Sequence, residues 1–211
     1  GAVGALADYA GEHDRAGRLL EQAYAHLKRV QPSPDLRQAV VAGNLGVHLV
    51  RVGDQGAALT ALRRAYRIRK DLAPDTTGTV AAQLAELLLG FDQLDDALPL
   101  AREAHRLQRA QLGADHPDTL ARGRVLTSIL RRLDRHQDAL PISQELVATA
   151  QRLKDDEALA DARYGLGLTL AETGRVEESI RHLEAAITWT REHGSHAGRP
   201  HPTLPARLER W

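Results

Sequence analysis

The chain has 211 residues, 28 Lys and Arg against 28 Asp and Glu, and no cysteine. That length allows one large or two small domains. The balanced charge argues against general nucleic-acid binding or electrostatic docking on an anionic membrane, and the missing thiols exclude disulfides, thiolate catalysis and Cys-based zinc sites. No apolar run approaches the ~20 residues of a membrane span, and no basic-then-apolar signal opens the chain, so a cytoplasmic protein without membrane contact is expected. Aromatic residues make up only 3%. Core filling therefore falls to Ala and Leu, both strong helix formers, while Val and Ile are too scattered for a large sheet. Only Lys28, Lys70 and Lys154 are lysines, a bias that suggests a GC-rich genome. The chain contains no Met, and a processed chain or a piece of a longer protein is expected.

Taken in chain order, the sequence repeats. The opening Gly1-Ala2-Val3-Gly4 reads as the middle of a first helix, with a turn at Gly11 and a second helix in a unit of about 1–33. Pro34-Asp35 opens a unit of about 34–73, turning at Gly53. Pro74-Asp75 opens one of about 74–115, turning at Asp92, and Pro117-Asp118 lies at the head of one of about 116–154, turning at Asp134. Proline in a first turn followed by an acid is a helix-start signature. In the last unit, about 155–193, Tyr164, Leu166, Leu168 and Leu170 precede a break at Glu172-Thr173-Gly174. A second helix follows from about Val176, with Ile180, Leu183, Ala186 and Ile187 at three- and four-residue steps. Residues 194–211 read as a Gly- and Pro-containing loop, then a capping helix or truncated sixth repeat signalled by His201-Pro202-Thr203.

Two columns set the period. Ala16, Ala58, Ala97, Ala139 and Ser179 are spaced by 42, 39, 42 and 40; twelve positions earlier stand Gly4, Gly46, Ala85, Thr127 and Gly167. Both columns hold small residues. Where antiparallel helices cross closely, anything larger would hold the backbones apart. A lone hairpin cannot bury its apolar face, so such units stack.

These residues resemble tetratricopeptide repeats (TPR), in the form of about 42 residues found in kinesin light chains and many bacterial regulators. Leu112-Gly113-Ala114-Asp115-His116-Pro117-Asp118-Thr119-Leu120 is similar to that form's linker. Ala97-Leu98-Pro99-Leu100 and Ala139-Leu140-Pro141-Ile142 are similar to its second-helix opening, and Asn44-Leu45-Gly46 to its first-helix signature. The resemblance implies an all-α, right-handed superhelical solenoid of about five helical hairpins. It also implies a groove lined by the first helices. In that family, asparagines at the place of Asn44 hold a peptide backbone; Asn44 is the only asparagine here.

Few residues suggest chemistry. There is no phosphate-binding Gly-rich loop followed by Lys-Ser/Thr, no Gly-x-Gly-x-x-Gly after a strand and no His-Glu-x-x-His. Gly165 and Gly167 are expected in the small packing columns of a helix. His193, His196 and His201 form a histidine cluster, read here as solvated linker beside glycines, and His116 is read as a linker residue. Asp95/Asp96, Asp155/Asp156 and Glu177/Glu178 sit at helix starts and complement the helix dipole. No enzyme, cofactor or metal is expected.

The remaining site is the expected groove. The period places Asn44, Val47, Arg51, Gln83, Glu86, Arg124, Ser128, Arg131, Arg132, Tyr164, Leu168 and Glu172 near it. Arg124, Ser128 and Arg131 share one helix face, with Arg132 beside them. Clustered guanidiniums hold carboxylates through paired hydrogen bonds. The expectation is a protein- or peptide-binding scaffold that favours acidic segments or a C-terminal carboxylate. Alternatives are a sensor segment of a bacterial signalling ATPase or transcription regulator, whose effector domain would lie outside this chain, and a self-assembling repeat module.

Overall fold

The computed structural model describes residues 13–31 and 33–193. Those residues form nine α-helices, one short 3-10 turn and no strand. In order they are α1 (His13–Val30), α2 (Leu36–Arg51), α3 (Gln55–Leu72), the 3-10 turn Pro74–Thr76, α4 (Gly78–Gly90), α5 (Leu94–Leu112), α6 (Pro117–Arg132), α7 (His136–Leu153), α8 (Asp156–Glu172) and α9 (Val176–His193). The chain divides into two compact units, Gly1–Asp134 and Arg135–Trp211. The expectations for Gly1–Gly4, Gly11, His196, His201 and residues 194–211 fall outside the described residues.

Helix starts follow the acids and prolines in the sequence. Asp35 caps α2 by accepting from Gln38 N at 2.8 Å, and Asp54 caps α3 by accepting from Ala57 N at 3.0 Å. In the second unit Asp155 caps α8 through Ala158 N at 2.9 Å. The His116 ring caps α6: its Nδ1 accepts from Asp118 N at 3.1 Å, with Pro117 in the first helical turn. Each cap satisfies an amide that the helix itself cannot. The signal at Pro74-Asp75 works differently. It makes the 3-10 turn, and α4 begins only at Gly78.

The small columns are where helices of a hairpin meet. In the first unit Ala58 and Ala97 are fully buried beside α2 and α4, and Ala16 is buried on α1. A Cβ placed on Gly46 would stand 2.6 Å from Leu62 Cγ. In the second unit Ser179 Oγ donates to the Gly167 carbonyl at 2.7 Å, tying the two columns directly. A Cβ on Gly167 would stand 2.7 Å from Leu183 Cγ. Gly165 differs: nothing lies within 4 Å of its would-be Cβ, so it is not a packing position. Of the expected apolar stripe on α9, Ala186 is buried, whereas Ile180 is 48% exposed. No described helix packs beyond α9 to cover it.

The turns share one backbone conformation. Gly53 and Gly174 have φ of +87° and +79°, and Asp92 and Asp134 take the same left-handed region at 61° and 55°. Asp tolerates that region better than most side chains, which is how the turns of the third and fourth repeats dispense with glycine.

The core of the first unit is aliphatic. Leu62, Ala65, Val80 and Leu84 pack together with Tyr66, Leu49 and Leu100 partly covering them. One polar knot sits beside it. Glu103 on α5 accepts from Tyr66 Oη at 2.6 Å, from Thr77 Oγ1 at 2.5 Å and from Lys70 Nζ at 3.0 Å. Burial pushes this carboxyl up, but the bonds from Thr77, Tyr66 and Lys70 hold it below the usual glutamate value. The same carboxylate raises the Lys70 ammonium, and burial followed by Glu103 raises the Tyr66 phenol. The knot joins α3 to α5 and to the residue that precedes α4.

Candidate groove on the first helices

An open pocket of about 440 Å³ lies on the first unit, lined by Val47 and Val50 of α2, Gln55 and Leu62 of α3, Gln83, Glu86, Leu87 and Gly90 of α4, and Arg122 of α6. It therefore draws on the first helices α2, α4 and α6 of successive repeats. Its size is within the ~300–1,000 Å³ typical of ligand clefts. The floor is aliphatic, and Val50 is 44% exposed. Two glutamine amides supply donors and acceptors. At one side Arg122 Nη1 donates to Glu86 Oε1 at 2.5 Å, so the pair adds no net charge there.

Three of the sequence-predicted residues, Val47, Gln83 and Glu86, are brought together in this pocket. Asn44 is half-buried on α2, and Arg51 is exposed at that helix's end. Arg124 is exposed and Ser128 and Arg131 are half-buried on α6. Arg132 has a local structural task. It donates to the Leu89 carbonyl at 3.0 Å and to Asp92 Oδ1 at 2.6 Å, closing the carboxyl end of α4. In the second unit Tyr164 and Leu168 are half-buried on α8, while exposed Glu172 lies 3.2 Å from His136 Nδ1. None of these twelve positions is fully buried.

Sequence reasoning missed Arg122, Val50, Gln55, Leu62, Leu87 and Gly90. The signal for Arg122 was an acid and a base on consecutive first helices. It was overlooked because Arg122 precedes the packing column by five residues while Glu86 follows its own by one. Long side chains bridge that offset diagonally.

Among the described residues no group of three or more His, Asp or Glu is placed to hold a metal ion. His193 Nδ1 lies 2.9 Å from the Trp189 carbonyl, and its ring stacks on Trp189 at 4.8 Å. The paired acids are helix-start residues: Asp95 and Asp96 in α5, Asp156 in α8 and Glu177 and Glu178 in α9 all lie in first turns. Glu178 is also held by Arg175, Nε to Oε1 at 2.8 Å and Nη2 to Oε2 at 2.7 Å. No described helix is long and apolar enough to cross a membrane.

Comparison with known proteins agrees with this architecture. A chain from Podosopora anserina assigned as a kinesin light chain with nearly identical TPR-like repeats is 19% identical, with a TM-score of 0.74 over 92% of this chain and 95% of that one. BtubC from P. vanneervenii is 15% identical, with a TM-score of 0.76 over 93% and 80%. MamA AMB-1 is 22% identical, with a TM-score of 0.68 over 90% and 97%. At these identities the likeness concerns the fold. No curated protein sequence matches the chain. Models of the tetratricopeptide repeat match residues 2–71, 77–118 and 124–192, and the chain therefore belongs to the tetratricopeptide-repeat family.

Proposed function

We propose that this chain is a non-catalytic scaffold that holds a protein or peptide partner on the first helices of its repeats, as part of a larger regulatory protein. The repeat fold favours a protein–protein interaction module. The observation that carries the reading is that α2, α4 and α6 contribute to one open, mainly aliphatic pocket. A ligand there would bury an apolar side chain against Val47 and Val50 and meet Gln83 with its backbone. Arg124 and Arg131 lie further along α6, where acidic side chains or a C-terminal carboxylate would pair with them. Arg132 contributes by fixing the end of α4.

Two variants test the reading. Val47→Glu places a charge in the pocket; Arg124→Glu/Arg131→Glu reverses the α6 row and leaves Arg132 intact. Partners retained from a source lysate by the unmodified chain should be lost or weakened with both. An identical set retained by all three proteins would refute the assignment of the groove.

A further inference from the structure

We propose that the solvent face of α3 and α5 is a second docking surface, and that it takes a carboxylate-rich segment of a protein partner. α3 carries Arg63, Arg64, Arg67, Arg69 and Lys70 against one acid, Asp71. Three of these are engaged locally: Arg69 donates to Thr76 Oγ1 at 3.2 Å, Lys70 donates to Glu103 at 3.0 Å, and Arg63 pairs loosely with Asp96 at 3.9 Å. Arg63 and Arg67 stand exposed one turn apart. On α5, Arg102, Arg106 and Arg109 follow at helical-face spacing and are exposed.

The two helices lie side by side. Tyr66 Oη reaches Glu103 at 2.6 Å, and Arg63 Nη2 is 3.9 Å from Asp96. The arginines thus form one positively charged face within a single compact unit, although the whole chain has zero net charge. Glu103, the carboxylate between the two helices, is only 14% exposed and already holds three donors. Arg67 and Arg106 make no hydrogen bond or ion pair with any described residue.

The surroundings select the partner. Asp71, Asp95 and Asp96 are exposed at the borders of the arginine rows and would repel a continuous phosphate backbone. Tyr66 is the only Phe, Tyr or Trp on the two helices, and its hydroxyl is already engaged by Glu103. Binding of single-stranded nucleic acid relies on free aromatic faces for stacking. Guanidinium groups with space between them suit discrete carboxylates, which they take in bidentate fashion. This surface lies on second helices, so it stands independently of the groove.

The test is fluorescence anisotropy of the full chain with labelled poly-L-glutamate, against a single-stranded oligonucleotide of equal length. Poly-L-glutamate should bind, and its affinity should fall steeply as the Debye length shortens from about 30 to 8 Å with added salt. Arg67→Glu/Arg106→Glu should weaken binding about tenfold, and Arg67→Gln/Arg106→Gln by less. Arg124→Glu/Arg131→Glu, in the separate groove, should weaken it less than the α3/α5 pair does. Circular dichroism checks that each variant is helical, and the Gln pair carries the test if the Glu pair does not fold. The proposal is overturned if poly-L-glutamate does not bind. It is equally overturned if the α3/α5 variants bind like the unmodified chain, if only the α6 variant loses binding, or if the oligonucleotide binds more tightly.

Discussion

Two glycines on one helix should respond to the same substitution with opposite signs. Gly165 and Gly167 both lie inside α8, where Ala is intrinsically favoured over Gly by about 1 kcal/mol. At Gly165 a new Cβ meets nothing within 4 Å, so Gly165→Ala should stabilise the protein by about that amount. At Gly167 the Cβ would lie 2.7 Å from Leu183 Cγ, 2.8 Å from Cδ2 and 3.3 Å from Leu183 N. Ordinary carbon contacts are about 3.5–4.0 Å, so α9 must retreat by about 1 Å or Leu183 must leave its rotamer. Overpacking of this kind costs about 1–3 kcal/mol. Retreat also stretches the 2.7 Å bond from Ser179 Oγ to the Gly167 carbonyl, worth about 1 kcal/mol. Offset by propensity, Gly167→Ala should destabilise by about 1–3 kcal/mol. Urea denaturation followed by circular dichroism reads both changes at constant slope. If Gly167→Ala proves as stable as Gly165→Ala, the close crossing of α8 and α9 is wrong.

Three further outcomes follow from the geometry. Glu103→Ala should cost about 3 kcal/mol, because it strips the acceptor from Tyr66, Thr77 and Lys70 at once; a loss under about 1 kcal/mol in urea titration would contradict the knot. Glu103 has a lowered pKa in the folded chain, so its contribution is present above the unfolded value of about 4.3 and disappears as pH falls through the lower folded value. Unfolding titrations across that acid range should therefore show a steeper loss of stability for the unmodified chain than for Glu103→Gln. Lys154 is in the left-handed region at φ 55° after α7, so Lys154→Gly should raise stability by about 0.5 kcal/mol once the added freedom of the unfolded glycine is subtracted.

The repeat was legible because its constraint recurs. Ala58, Ala97 and Ser179 must be small wherever two helices cross, and one column fixes the phase of every other position. The period put Gly167 in its column; adding Gly165 was the error, because it lies about 200° from Gly167 around the helix and nothing packs on it. What the period could not supply was local geometry. Pro74-Asp75 carries the same letters as other helix starts, yet Ala73 precedes it with φ −156° and the chain closes a 3-10 turn first. Ile180 fits the apolar stripe but is 48% exposed. At the groove, the period placed Val47, Gln83 and Glu86 on the first-helix face that the family resemblance implied, and the three line one pocket. Arg122 did not, because its pairing with Glu86 depends on how far a long side chain reaches between neighbouring helices. Arg132 was placed beside the α6 row of the groove but not as the group that closes α4, since Leu89 and Asp92 lie a whole repeat earlier in the sequence.

The central claim is that the partner occupies the face built by α2, α4 and α6. The most direct measurement is site-specific photocrosslinking in a source lysate. A photoreactive residue would replace Val50, which is 44% exposed in the pocket, or Ala148, which is exposed on α7. The account predicts a discrete crosslinked partner from position 50, lost when Val47→Glu is added, and none from position 148. Equal labelling at both positions, or a partner captured only at 148, would contradict it.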